Sequence, residues 1–375
     1  MNILLTQAFV AREPRTPIPL LDLAPYWRRQ GHDVTIAYAQ EATNLPQYDL
    51  VGISAILFGQ AVYEQLKTFR QSFSGRIVFG GKGARSLQSE EKDSLNNLGV
   101  EIVVGGGESL FDDGAEIDYQ TYPAWEKEDF QALDSLPLSV LPGGMTEMMS
   151  TRGCPYSCAF CYNTEPRVSY FSPERTVENA NLILNGFNRN RIFFVDDIFT
   201  INASRMLKLL ATADAHGLEL RNKTCFFVHV DQLNADKLAA VQEYNPREVQ
   251  IGIESGDDGM LSAMGKTFTA QEAKEKIQQL HAAGIRTAAL FMIGFPGETR
   301  QSLRNTLRLL NDSRKYLSGW WVSYYQPVPY TRGWELAKER VPNYKRGEWN
   351  TEISYLDPNL TEQDLTLARQ ALMTY

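Results

Sequence analysis

Short apolar runs separated by amphipathic stretches recur along most of this 375-residue chain. That alternation limits the fold more than any other feature. Near the N-terminus, NILLTQ (2–7), DVTIAYA (33–39), DLVGISA (49–55), RIVFGG (76–81) and EIVVGG (101–106) read as five strands. Between them, stretches such as PLLDLAPYWRRQG and GQAVYEQLKTFRQSF carry helical spacing. Strands that are apolar throughout must be covered on both faces, and intervening helices supply the cover. The pattern therefore predicts a doubly wound, Rossmann-like parallel sheet over residues 1–111, with its ligand crevice at the carboxyl ends of the strands. Gly80, Gly81 and Gly83, then Gly105, Gly106 and Gly107, stand at the ends of the fourth and fifth strands. Glycine there either admits a ligand close to the backbone or makes a tight turn. No G-x-G-x-x-G follows the first strand, so a dinucleotide site is not predicted.

Residues 112–143 are acidic, proline-bearing and weakly periodic, and read as a linker. Alternation then resumes over 144–330, with strands expected at 145–151, 191–197, 223–230, 248–255, 286–294 and 319–328. Helices are expected between them, with Asn202, Asn234 and Thr269 as N-caps and Gly217 and Gly284 as stops. Six such units imply an α/β sheet of the partial (β/α)6 barrel kind, functional groups gathering at its C-terminal strand ends. Residues 331–375 read as a helical extension whose amphipathic last stretch, 360–373, packs on the barrel.

Composition narrows the partners. A hydrophobic content of 43% suits a globular protein, and a net charge of −8 argues against a broad nucleic-acid surface. Neither a long apolar run nor a signal-peptide pattern is present, so no membrane partner is expected. Few cysteines, clustered together, suit a reducing cytoplasm.

Three of the four cysteines fall in RGCPYSCAFCY, as Cys154, Cys158 and Cys161 in C-x3-C-x2-C spacing, directly after the first expected barrel strand. A structural zinc wants four ligands, whereas Cys225 stands alone and His216, His229 and His281 are scattered. A C-x-x-C redox pair would leave Cys154 unused. Three thiolates on a four-iron cluster leave one iron open, the mark of a catalytic centre.

The stretch resembles the signature of the radical S-adenosylmethionine (SAM) superfamily, with Phe160 in the aromatic position and STRGCPY and CYN on either side. The resemblance implies a [4Fe–4S] cluster on Cys154, Cys158 and Cys161 whose open iron chelates SAM. One-electron cleavage would yield methionine and a 5′-deoxyadenosyl radical that abstracts a substrate hydrogen. FFVDDIF, GIESGDD and MIGFPGET match family segments at later strand ends. They imply SAM contacts at Asp196 and Asp197, at Glu254 and Ser255, and at Ile293 and Gly294. Glu298 is expected to cap the following helix. A small-molecule substrate and an electron donor such as flavodoxin or ferredoxin would complete the system.

A Rossmann-like domain, a linker containing TYPAWE and then this barrel is the order of the cobalamin-binding branch. EIVVGGGESL and IVFGGKGA resemble its V-x-G-E-G-E and V-x-G-G-P-H-A segments, which implies a corrin over the six glycines. The chain departs at Lys82 and Gly83, lacks D-x-H-x-x-G, and has only His32 in this region, in a position that reads as structural. The resemblance thus implies a cobalamin-dependent methyltransferase acting on an unactivated carbon or a phosphinate. Alternatives are a radical rearrangement, dehydration, epimerisation or C–C bond formation without the corrin, and a non-catalytic metal protein.

Overall fold

The structure, a computed structural model, describes residues 1–8, 16–39, 42, 44–111, 116–134, 145–161, 165–342, 344 and 353–373. They divide into two units, Met1–Met148 with Tyr170–Asn190, and Met149–Ser169 with Arg191–Tyr375.

In the first unit, β1 (Asn2–Gln7), β2 (Asp33–Tyr38), β3 (Leu50–Ser54), β4 (Arg76–Gly80) and β5 (Val100–Ile102) form an all-parallel sheet. Its order is β2-β1-β3-β4-β5. Ile3, Leu4 and Leu5 of β1 are all buried, as a strand covered on both faces requires. Helices Ile18–Arg29, Gln60–Ser72 and Ser89–Asn97 supply the cover. This is the doubly wound sheet that the apolar runs predict.

The described part of the linker, 116–134, is fastened to this unit by its own polar side chains. Tyr122 donates to the buried Glu108 carboxylate at 2.7 Å, and Trp125 Nε1 to Asp22 at 2.8 Å. Arg28 pairs with Glu126 and Asp129 at 2.6 and 2.5 Å. Arg175, on helix Pro173–Asn181, forms an ion pair with Asp22, both groups being almost wholly buried. Removing one partner of such a pair costs about 3–5 kcal/mol, because the other charge is left uncompensated. Residues 112–115 and 135–143 of the linker lie outside the described residues, as do Tyr162 and Asn163 of the cysteine motif.

After β6 (Met145–Met148), two short strands, β7 (Thr151–Arg152) and β8 (Ser169–Tyr170), flank the cysteine loop. In the second unit β9 (Arg191–Phe194), β10 (Thr224–Val228), β11 (Glu248–Glu254), β12 (Thr287–Ile293) and β13 (Gly319–Tyr324) each pair in parallel with the next. Six strands, β6 and β9–β13, alternate with helices as a partial (β/α)6 barrel does. Asn202, Asn234 and Thr269 cap their helices through their side chains, and Gly217 and Gly284 take positive φ where the preceding helices stop.

Several expected strands are shorter, β5 ending at Ile102, β9 at Phe194 and β10 at Val228. The run 145–151 breaks after Met148, because the Ser150 and Thr151 amides donate to Asp196 and not to a ladder. The last strand stops at Tyr324, and Pro327 and Pro329 lack the donors to continue it. Helix Glu362–Met373 packs on helix Arg300–Ser313, Arg300 meeting Asp364 at 2.8 Å. It also takes up the aromatic last strand: Trp320 Nε1 donates to the Leu372 carbonyl at 2.6 Å, and Arg369 lies over the Tyr324 ring. Tyr325 is buried in a cluster with Ala159 and Phe295.

Candidate active site

The cysteine loop is fastened from several sides. Cys154 N–H donates to Glu165 O at 2.9 Å, Ala159 N–H to Met264 O at 2.8 Å, and Gly333 N–H to Ala159 O at 2.6 Å. Gly333, in helix Arg332–Arg340, thus helps to hold the loop. Tyr156 stacks on His229 with ring centroids 4.0 Å apart, and its hydroxyl accepts from Gln232 at 2.6 Å. Cys154 and Cys158 are half-buried and Cys161 is exposed. Burial pushes the Cys154 thiol up to about 11 and raises Cys158 as well, where the Lys266 ammonium pulls in the opposite direction. A metal would displace these protons on binding. Among the described residues no three His, Cys, Asp or Glu side chains converge closely enough to hold a single metal ion. Three thiols on one loop do suit a multi-iron cluster.

The strand-end residues divide by what they touch. Asp196 is fully buried; its carboxylate accepts from the Ser150 and Thr151 amides at 2.6 and 3.0 Å and from the Ser150 hydroxyl, and burial raises its pKa. Arg205 completes this knot by donating to Ser150 O at 2.7 Å. Asp197 is half-buried and its charge is felt at Cys154. The pair therefore splits into one residue that shapes the entry to the loop and one that faces the thiols.

Glu254 ends β11 with φ +68°, an uncommon conformation for a side chain with a Cβ, at a register shift between β11 and β12. Its carboxylate meets Lys266 Nζ at 3.2 Å. Ser255 is buried, with its hydroxyl 3.2 Å from that of Thr306, and so ties β11 to helix Arg300–Ser313. Ile293 is fully buried, and Gly294 follows it with φ +87°. The Glu298 carboxylate accepts from the amides of Gly294 and Phe295, and burial pushes its pKa up to about 8. Glu298 is therefore not the cap of the next helix; Thr299 is, because its hydroxyl reaches the Ser302 amide while Glu298 turns inward.

Lys266 was not singled out by the sequence. Its side chain is 4% exposed, and its ammonium lies 5.4 Å from the Phe160 ring centroid. Gly265 brings it there: with φ +76°, a Cβ at that position would come within 3.2 Å of Ser157 O. The signal lay in MGKTF, a lysine between apolar residues immediately after a glycine. His229 is buried and stacked on Tyr156, and burial with the nearby ammonium lowers its pKa to about 3.

The glycine turns of the first unit divide in the same way. A Cβ on Gly81 (φ +83°) would come within 2.7 Å of Ala55 O, on Gly83 within 3.1 Å of the same atom, and on Gly107 within 2.6 Å of Leu23. Those three serve packing. Gly80 would meet only Val103 O at 3.8 Å, and Gly105 nothing within 4 Å. Gly106 precedes the short turn of helix Gly107–Leu110. Ile56 and Val104, beyond β3 and β5, are 47% and 61% exposed. His32 precedes β2, at the opposite end of the strands, with its ring 4.4 Å from Phe111.

Residues 148–310 match the model of the Radical SAM superfamily. The chain carries a radical SAM domain. That domain implies a [4Fe–4S] cluster and SAM as cofactors. An uncharacterised methyltransferase of Pyrococcus horikoshii is 28% identical over 272 residues, covering 69% of this chain and 56% of the relative; the chain thus spans little more than half of that protein. Among solved structures, the radical SAM methyltransferase TsrM of Kitasatospora setae, with cobalamin and a [4Fe–4S] cluster bound, superposes with a TM-score of 0.75 at 16% identity, over 100% of this chain and 91% of that one. The cobalamin-dependent SAM radical enzyme OxsB, with aqua-cobalamin and SAM bound, gives 0.70 at 18%, over 90% and 55%. These two likenesses show that the fold, a doubly wound sheet followed by a radical SAM barrel, is shared. No helix among the described residues is long and apolar enough to cross a membrane.

Proposed function

We propose that this chain is a cobalamin-dependent radical SAM methyltransferase acting on an unactivated carbon, or a phosphinate, of a small molecule. Residues 1–111 would hold the corrin, 144–330 the cluster and SAM, with 112–143 linking them and 331–375 covering the barrel. The observation that carries the reading is the cysteine loop itself: three thiols on a segment fastened by backbone hydrogen bonds to two others and facing a buried ammonium. Cys154, Cys158 and Cys161 would hold the cluster. Asp197 and Glu254, which both keep some exposure beside the thiols, would take the polar end of SAM, and Phe160 would line its pocket. Asp196, Ser255, Ile293 and Gly294 would act from behind by shaping the strand ends. When bound, the cluster and SAM would supply the hydrogen-abstracting radical and cobalamin the methyl group.

For the corrin, the fit rests on open backbone at Gly80 and Gly105 beside the exposed Ile56 and Val104. Among the described residues of the first unit no histidine reaches that edge, since His32 lies at the other end of β2. This unit would therefore offer cobalt no imidazole. The position of His32 also favours a second reading, radical chemistry without methyl transfer on a domain that keeps the fold but not the corrin. Anaerobic reconstitution with iron, sulfide and hydroxocobalamin, followed by gel filtration, separates them. The methyltransferase reading expects about four irons and a corrin band retained with the chain, then products heavier by one methyl group. A cluster without retained corrin overturns it in favour of the second reading. An electron donor of the flavodoxin or ferredoxin kind would complete the reaction.

A further inference from the structure

Asp357 lies in the C-terminal extension and is wholly buried. Arg340 donates to it through Nε and Nη2 at 2.5 and 2.9 Å, the Tyr355 hydroxyl at 3.2 Å and the Asn359 amide at 3.0 Å. A further donor is distant in the chain: the Gly297 amide, in the turn after β12, at 2.7 Å. That turn carries two left-handed glycines, Gly294 at φ +87° and Gly297 at φ +91°. Glycines so close leave a turn wide freedom unless something fixes it. Glu298 takes the Gly294 amide from within, and Asp357 takes that of Gly297 from the extension. Leu365, buried on helix Glu362–Met373, reaches the other glycine, since a Cβ on Gly294 would stand 3.4 Å from its Cδ1. Ser354 Oγ donates to Gln326 Oε1 at 2.6 Å, just beyond β13. The extension is thus tied across the ends of the last two strands, with a guanidinium-paired carboxylate at the glycine turn. A solvated turn could leave its amide to water. Here a charged group is buried to receive it, and Arg340 offsets the desolvation.

We infer that Asp357 is a positioning residue for SAM, holding the turn 294–297 in the one shape that receives the adenosyl half of the ligand. This rests on the reading above, in which Ile293 and Gly294 shape the SAM site. There Asp197 and Glu254 take the charged end, which leaves the apolar, glycine-bearing end of β12 to the adenosyl half. Asp357 acts through the Gly297 amide, and no bond is made or broken at it. A turn held beforehand spares the ligand the free energy of ordering it. If the turn kept this shape only about a tenth of the time, SAM would bind about tenfold more weakly.

The test is equilibrium dialysis of labelled SAM against the full-length chain, reconstituted with iron and sulfide and kept free of reductant. Asp357→Ala is expected to raise the Kd of SAM about tenfold at unchanged iron content. Competition by 5′-deoxyadenosine and by methionine separates the two halves of the ligand. The constant for 5′-deoxyadenosine should rise as much as that for SAM, and the constant for methionine should not move. Asp357→Asn, which still offers Gly297 an oxygen, should recover most of the loss. Because Asp357→Ala leaves Arg340 without its partner, the double variant Arg340→Gln, Asp357→Ala is measured alongside and covers the case in which the single variant does not fold. It should show the same division between the two competitors. An unchanged Kd for SAM in iron-loaded variants would overturn the inference. So would equal weakening of both competitors, the mark of a general loosening. If the unaltered chain takes up no iron or binds no SAM, the underlying reading fails instead, and that is seen before any variant is made.

Discussion

The two strand-end edges that carry the candidate sites are built from opposite materials. At the ends of β3, β4 and β5 the surface is backbone, glycine and exposed aliphatic side chains, Ile56 and Val104 among them. At the ends of β9, β10 and β11 it is thiols, carboxylates, a buried imidazole and a buried ammonium. Both edges follow from parallel strands whose carboxyl ends converge on a crevice, so topology makes the two places and side chains make the difference. An edge of open backbone and aliphatic side chains suits the face of a broad ring. A charged one suits an anionic cluster and a zwitterionic ligand, whose charges need fixed partners in a dry site.

The sharpest way to break that contrast is at the thiols. Replacing Cys154, Cys158 or Cys161 by Ala should abolish iron retention and lower SAM cleavage more than about a thousandfold, about 4 kcal/mol of lost transition-state stabilisation. Cys225→Ala, a buried strand position, should keep the iron and cost about 1 kcal/mol of stability. Equal iron loss from all four variants would refute the special standing of the loop.

Next comes the knot beneath the loop. Asp196→Ala leaves two buried amides without an acceptor, and urea unfolding should show a loss of about 3 kcal/mol. Unchanged stability would mean that the loop entry is held some other way.

Glu298 gives a pH-dependent effect. Its folded pKa of about 8 lies above the ordinary 4.5, so the folded state binds the proton more tightly. Its contribution is complete below about pH 4.5 and declines as pH rises toward 8. Glu298→Gln should remove that slope and leave the chain more stable than the parent at pH 8, by up to about 4 kcal/mol. A parallel pair of stability–pH curves would contradict the burial argument.

The smallest effects test the glycine edge. Gly81→Ala should cost about 2 kcal/mol through its positive φ and the nearby Ala55 carbonyl. Gly80→Ala should cost less than about 1 kcal/mol and weaken corrin retention. If both variants behave alike in stability, the division between packing glycines and open ones is not real.

Much of this was legible in the sequence for reasons that act locally. Apolar runs of strand length, helix caps at Asn202, Asn234 and Thr269, and the spacing of the three cysteines each depend on near neighbours along the chain. Such features survive reading in one dimension, and they were enough to predict both sheets and to single out the cysteine loop. What the tertiary structure alone decided was the partner of each charge. Asp196 and Asp197 are adjacent in the chain and alike in composition, yet one is spent on Ser150 and Thr151 while the other faces Cys154. Glu298 turned inward to the Gly294 amide and left capping to Thr299. Lys266 became a buried ammonium through a left-handed glycine and a glutamate twelve residues earlier in the chain. Charge pairing depends on distance and burial in three dimensions, and a sequence specifies both only after the strands have been brought side by side.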